Sequence, residues 1–159
     1  MGIMMERGLE SDGKFFTSRF EANISNLKSA IDDALAFFDE SFGQMDEDTR
    51  LELKIVLNEL LVNAVRHGGK AGSSRYVKAV AGMASEDCAF LIVEDDGEGY
   101  DVAFLNKYHE IVAFNGNFDD IQETGRGIYI VKSLCEDFMV NEKGNKVVVI
   151  KRLRKSSPL

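Results

Sequence analysis

The sequence predicts an α+β protein: a two-layer α/β sandwich with one mixed, mostly antiparallel sheet and helices on one face. Three observations lead there. Strand-like stretches mostly neighbour one another, with helical stretches between them, in the order β-α-α-β-β, long connection, α-β-β. The only proline is Pro158, so helices and strands run uninterrupted. The chain has 159 residues, 45% apolar and 29% charged, which suits one domain around one core.

Each element follows from its own residues. Residues 1–13 are polar and glycine-bearing, so they are expected to be a disordered N-terminal segment. The domain is expected over 14–153, with a tail over 154–159. Lys14 to Ala22 interleaves aromatic and polar residues and reads as a first strand. Asn23 and Ser25 suit a helix cap. Ile24, Leu27, Ile31, Leu35 and Phe38 then recur at helical spacing to about Ser41, and Gly43 ends that helix. Asp46 to Thr49 opens a second helix, with acidic residues where the helix dipole favours them. That helix continues to His67 and stops at Gly68 and Gly69.

Two strands follow, Tyr76 to Met83 and Asp87 to Glu94, joined by a short turn. The apolar, β-branched run CAFLIVED suits a central strand. A glycine turn at Asp95 to Asp101 leads into the long, mixed stretch Val102 to Thr124. A connection of that length in a small domain reads as a lid or binding loop. Gly125-Arg126-Gly127 opens a third helix, Ile128 to Phe138. Met139 and Val140 make a short strand, Gly144-Asn145 a hairpin turn, and Lys146 to Leu153 a final strand.

The net charge is 19 − 27 = −8, which argues against a nucleic-acid partner. The basic run Lys151, Arg152, Arg154, Lys155 reads as a solvated strand end. Cys88 and Cys135 form no CxxC pair and read as small buried hydrophobes. No apolar run reaches the length of a membrane span and no signal peptide is recognisable, so no membrane partner and a cytoplasmic location are expected.

Three motifs carry chemistry. In ELLVNAVRHG, Glu59, Asn63 and His67 stand four apart on one face of an otherwise apolar helix. Such neighbours have Cβ atoms about 5–6 Å apart. The Asn63 amide oxygen suits Mg²⁺, which takes oxygen ligands and keeps phosphate oxygens and waters around it. Glu59, one turn earlier, is placed to act as general base on a hydroxyl or water. The second motif is Asp95-x-Gly97-x-Gly99, which follows an apolar strand. An ionised Asp only accepts, and adenine offers an amine to it, while the glycines let the backbone approach a ligand. The third is Gly125-x-Gly127 at a helix start, where free N–H groups and Arg126 suit phosphate. Taken singly, these read equally well as a solvated helix face, an acidic β-turn and a flexible approach to a helix. Together they supply the metal, base and phosphate parts of a nucleotide site.

Those residues resemble the GHKL ATP-binding superfamily, which covers gyrase, histidine-kinase catalytic domains, heat-shock chaperones and mismatch-repair proteins. ELLVNAVRHG resembles its N box, DDGEGYD its first glycine box and TGRGIYIVKSLCEDF its second. Within the superfamily the chain is most similar to the bacterial anti-sigma factor serine/threonine protein kinases. Glu59 before Asn63, the ending NAVRHG, and histidines only at His67 and His109 drive that choice. The resemblance implies ATP and Mg²⁺ as cofactors, with Glu59 as general base, Asn63 as metal ligand and Asp95 on the adenine amine. It implies that Gly97 and Gly99 shape the base pocket, that Gly125 and Gly127 meet the phosphates, with Arg126 and His67 nearby, and that Asn145 stands near adenine. It further implies phosphorylation of an antagonist protein, binding of a sigma factor, and a homodimer. The alternatives are a non-catalytic ATP-binding module and a histidine-kinase catalytic domain acting in trans.

Overall fold

The computed structural model describes residues 4–10, 13–68, 75–96, 123–142 and 144–157. The described residues form six strands and three α-helices, in the order β1 (Met4–Glu10), β2 (Gly13–Glu21), α1 (Leu27–Ser41), α2 (Glu47–Gly68), β3 (Tyr76–Met83), β4 (Cys88–Asp95), α3 (Glu123–Leu134), β5 (Asp137–Val140) and β6 (Lys146–Arg152). The strands make one sheet in the order β1-β2-β3-β4-β6-β5. Among the described residues every pairing is antiparallel, where the sequence allowed a mixed sheet. Connectivity explains this. β1–β2, β3–β4 and β5–β6 are joined by short connections, and short turns reverse the chain. The α1–α2 hairpin brings the chain back so that β3 runs opposite to β2.

β1 overturns one expectation. Residues 4–10 pair along their whole length with β2, in place of a disordered segment. MMERGLE lacks apolar–polar alternation, so the strand showed no periodic signal and is defined by its pairing with β2.

Helix boundaries follow local chemistry. Asn23 accepts from the amide and hydroxyl of Ser25 and caps a 3-10 turn over Ile24–Asn26, which precedes α1. Ile24, expected on the apolar stripe, sits in that turn and is exposed. Gly43 ends α1 with φ 103°, a conformation open to glycine. At the start of α2 the Asp46 carboxylate accepts from the Thr49 amide at 2.7 Å. The α3 helix begins at Glu123, inside the expected loop, and ends at Leu134, so Asp137 and Phe138 belong to β5.

Strand alternation sets the two faces of the sheet. Along β4, Ala89, Leu91, Val93 and Asp95 are buried, while Cys88, Phe90, Ile92 and Glu94 are half-buried on the other face. The buried face meets Leu53, Val56, Leu57, Leu60, Leu61, Ala64 and Val65 of α2, and Phe37 and Phe38 of α1. The helices therefore cover one face, as the fold class predicts.

In the basic C-terminal run Arg152, Arg154 and Lys155 are exposed, as expected of a solvated end, and Lys151 is the exception. Lys151 is buried, and Arg154 reaches Asp46 and Glu52 at 3.4 Å. Backbone bonds from Asp46 to Arg154 and from Ser156 to Gln44 bind the last residues to the α1–α2 loop. The fold thus continues past the expected boundary at 153. Alternation explains Lys151: it shares a face with Val147 and Val149.

Candidate functional site

The helix α2 carries Glu59 and Asn63 on the stripe that also bears Glu52 and Val56. That stripe faces α3. A Cβ built on Gly127 would stand 3.7 Å from Asn63 Nδ2, 3.3 Å from Glu59 Cδ and against Glu59 Oε2. The first and third sequence motifs therefore touch. Only a residue without a side chain lets α3 approach the Glu59 carboxylate this closely.

Asn63 is 2% exposed, and its Nδ2 has no hydrogen-bond partner. A buried amide left unmet costs about 1–3 kcal/mol. A side-chain amide offers two donors on nitrogen and an acceptor on oxygen, and a half-turn exchanges them. Asn63 is thus a polar group with unmet capacity beside a carboxylate, under a glycine. That donor set fits a metal–phosphate group. Among the described residues no cluster of three or more His, Cys, Asp or Glu gathers to hold a metal ion. An ion here would take its remaining ligands from phosphate oxygens and water, as Mg²⁺ commonly does.

The second group lies at the end of β4. Asp95 is 3% exposed, with its side chain on the helix-covered face. Its backbone is held on both sides by Asn145. The Asp95 amide donates to Asn145 O at 2.9 Å, and Asn145 Nδ2 donates to Asp95 O at 2.8 Å. Asn141 in turn orders the β5–β6 turn. Its Oδ1 accepts from the amides of Gly144, Asn145 and Lys146, and its Nδ2 donates to Asn145 Oδ1 at 2.8 Å. Gly144, at φ 78°, makes that turn possible. Asn145 therefore stands beside Asp95, each polar atom of its amide having one partner and a further lone pair or N–H to spare. Asn141 was missed in the sequence. Its spacing of four before Asn145 was the only signal.

A cleft of about 310 Å³ opens beside Asp95 and Asn145 and is lined by Arg19, Tyr76, Lys78, Glu94 and Asp96. Arg19 lies 3.9 Å over the Tyr76 ring, and the Tyr76 amide donates to Asp96 Oδ1 at 3.0 Å. Arg19, Lys78 and Glu94 are register partners on the face away from the helices, so this cleft lies behind the Asp95 carboxylate.

The remaining site residues divide by position. His67 is in the last turn of α2, and Gly125 and Arg126 are in the first turn of α3. The side chains of His67 and Arg126, and all of Gly97 and Gly99, lie outside the described residues. So does the expected lid over 102–124, apart from Glu123 and Thr124, which belong to α3. Cys135 stands just past α3, half-buried, and burial pushes its thiol up to about 11, which suits packing rather than reactivity. No helix among the described residues is long and apolar enough to cross a membrane.

Several known proteins are similar to this chain. The serine-protein kinase RsbW of Staphylococcus epidermidis is 27% identical over 103 residues, covering 64% of this chain and 65% of that protein. RsbW of Staphylococcus aureus strain MW2 is 25% identical over 105 residues, covering 65% and 66%. RsbW of Bacillus subtilis strain 168 is 30% identical over 105 residues, covering 64% of each. The matched stretch spans just under two thirds of the length of each relative. The family described as "Histidine kinase-like ATPase domain" matches over residues 20–151, from β2 through nearly all of β6. With helices on one face of an antiparallel sheet and α3 pressed by its glycine against Glu59 and Asn63, the chain belongs to the histidine kinase-like ATPase domain family.

Proposed function

We propose that this protein is an ATP-dependent serine/threonine protein kinase of the anti-sigma type. The observation that carries the reading is the contact among Glu59, Asn63 and Gly127. A nucleotide-binding module has no need of a carboxylate there, whereas a phosphoryl-transfer enzyme needs a group to orient a hydroxyl and take its proton. The names of the similar proteins, all serine-protein kinases, support the same class.

In this reading Asn63 holds Mg²⁺, which when bound offsets charge on the phosphates. The free N–H groups in the first turn of α3, Gly125 among them, bind the phosphates, while Gly127, one turn on, lets the helix lie against Glu59, with Arg126 and His67 adding charge or hydrogen bonds at their edge. Asp95 accepts from the adenine amine, and Asn145 keeps the Asp95 backbone in place from the next strand. Gly97 and Gly99 shape the base pocket, and the segment over 102–124 closes on the nucleotide and excludes water. Glu59 accepts the proton of a Ser or Thr hydroxyl as that oxygen bonds to the γ-phosphorus and the bond to the β-phosphate oxygen breaks, releasing ADP.

The substrate is an antagonist protein. Its phosphorylation adds about −1.5 to −2 charges and releases it, freeing this protein to hold a sigma factor as a cytoplasmic regulator of transcription. The kinase acts as a homodimer. The test is Glu59→Ala, measured for ATP binding and for transfer to a serine-bearing antagonist. ATP binding is expected to persist while transfer falls by about 10²–10⁴-fold. Transfer at the normal rate would remove Glu59 from the mechanism.

A further inference from the structure

A buried cation lies outside the site, between its two helices. Lys151 in β6 has its side chain 3% exposed, and its Nζ donates to Glu52 Oε2 at 2.6 Å and to Leu134 O at 2.9 Å. Glu52 is on α2, and Leu134 is the last residue of α3. One ammonium thus joins both helices that make the Glu59–Asn63–Gly127 contact.

The spacing gives this bond its meaning. Glu52 lies seven residues before Glu59 on the same stripe of α2, and Leu134 lies seven residues after Gly127 on α3. Seven residues of helix rise about 10.5 Å. Because Gly127 meets Glu59 while Leu134 shares Lys151 with Glu52, the helices run antiparallel with matched spacing. The α3 helix is held against α2 at two points: a backbone-to-carboxylate contact near its start and a charged hydrogen bond at its end. Sliding α3 along α2 would break the second and shift the first.

Energetics point the same way. A buried ion pair contributes little net stability, because desolvation offsets the attraction, and apolar replacements are often neutral. A lysine at this position is better explained by what it orders. It meets an orphan carbonyl at a helix C-terminus, where a cation is favoured, in a direction that Leu or Met cannot supply.

We infer that Lys151 is a positioning residue for the phosphate side of the site, setting the register of α3 on α2 and hence where the first-turn N–H groups of α3 stand relative to Glu59 and Asn63. This rests on the proposed nucleotide site between α2 and α3.

The test is Lys151→Met, with ATP and adenosine affinities measured on the purified full chain. ATP is expected to bind about tenfold to a hundredfold more weakly, while adenosine, which has no phosphates, binds as before. Hydrogen exchange on the nucleotide-free protein supplies a second readout. Faster exchange at Gly127 to Ile130, one to two turns along α3 from the lost bond, is expected. Unchanged ATP affinity, an equal loss for ATP and adenosine, or faster exchange confined to Leu134 to Glu136 would each overturn the inference. Absence of ATP binding by the unsubstituted chain would instead sink the nucleotide-site reading, and the exchange pattern would still decide whether Lys151 sets α3. Should Lys151→Met not fold, Lys151→Met with Glu52→Met replaces the whole pair by apolar side chains and carries the same measurements.

Discussion

Glu59 and Asn63 show how far individual residues speak from the sequence. Their spacing of four placed them on one helix face, and that was legible. What was not legible was the environment: Asn63 is buried with an unmet amide nitrogen, and Glu59 lies against the backbone of a helix more than sixty residues further along. An orphaned buried amide makes an unusual prediction. Replacing a satisfied buried polar residue is usually destabilising, but Asn63→Ala removes an unmet group along with some packing. Its thermal midpoint is expected to change by the equivalent of no more than about 1 kcal/mol, while Mg²⁺-dependent ATP affinity falls at least tenfold. A thermal melt checks the first and a calorimetric titration with and without Mg²⁺ the second; ATP affinity that ignored the substitution would rule out Asn63 as the metal ligand. Lys151 shows the opposite case, a residue misread because a terminal run of basic residues usually faces solvent. Its place on the buried face of β6 was already set by two-residue alternation with Val147 and Val149.

At the scale of elements, α1, α2, β3, β4 and β6 were readable because each has strong periodicity or a continuous β-branched run. The ends of α3 were not, since its first turn, ETGR, is polar and glycine-bearing and its last residues run straight into β5. The elements are joined by a charged cluster: Asp46 before α2, Glu52 in α2, and Lys151 and Arg154 from the last strand and its extension. Its carboxylates give a pH dependence. The Glu52 carboxyl is held below its usual value of 4.5, chiefly by the hydrogen bond from Lys151 and then by the charges of Lys151 and Arg154. The unfolded chain therefore binds a proton more readily than the folded one. The resulting stability is fully present above pH 4.5 and is lost as pH falls through the lower folded value. Asp46, also lowered, by Thr49, whose amide donates to its carboxylate, and then by Arg154, adds in the same direction. Glu52→Gln is expected to flatten the fall in thermal midpoint between neutral and acidic pH. A profile as steep as that of the unsubstituted protein would place the acid sensitivity elsewhere.

For the whole molecule, the last residues matter more than their composition suggests. Residues 154–156 join the α1–α2 loop through the Asp46 and Ser156 amides, the Ser156 hydroxyl on Met45 O at 2.8 Å, and the Arg154 ion pairs. Removing residues 154–159 is expected to cost about 2–3 kcal/mol and to lower the thermal midpoint by roughly 5–10 °C for a domain of this size. A midpoint within a degree or two of the full chain would show those bonds to be dispensable. The sequence by itself determined the fold class, most elements, and the residue types of a nucleotide site, because periodicity, glycine turns and i, i+4 spacing are local properties. Only the tertiary structure decided that every strand pairing is antiparallel, that residues 4–10 close the sheet edge, and that α3 lies against Glu59 and Asn63, since each depends on contacts between segments far apart in the chain. The helix face at Glu59 and Asn63 acquires its chemical meaning there: spacing aligns the two side chains, and a glycine brought in by the fold gives them something to act upon.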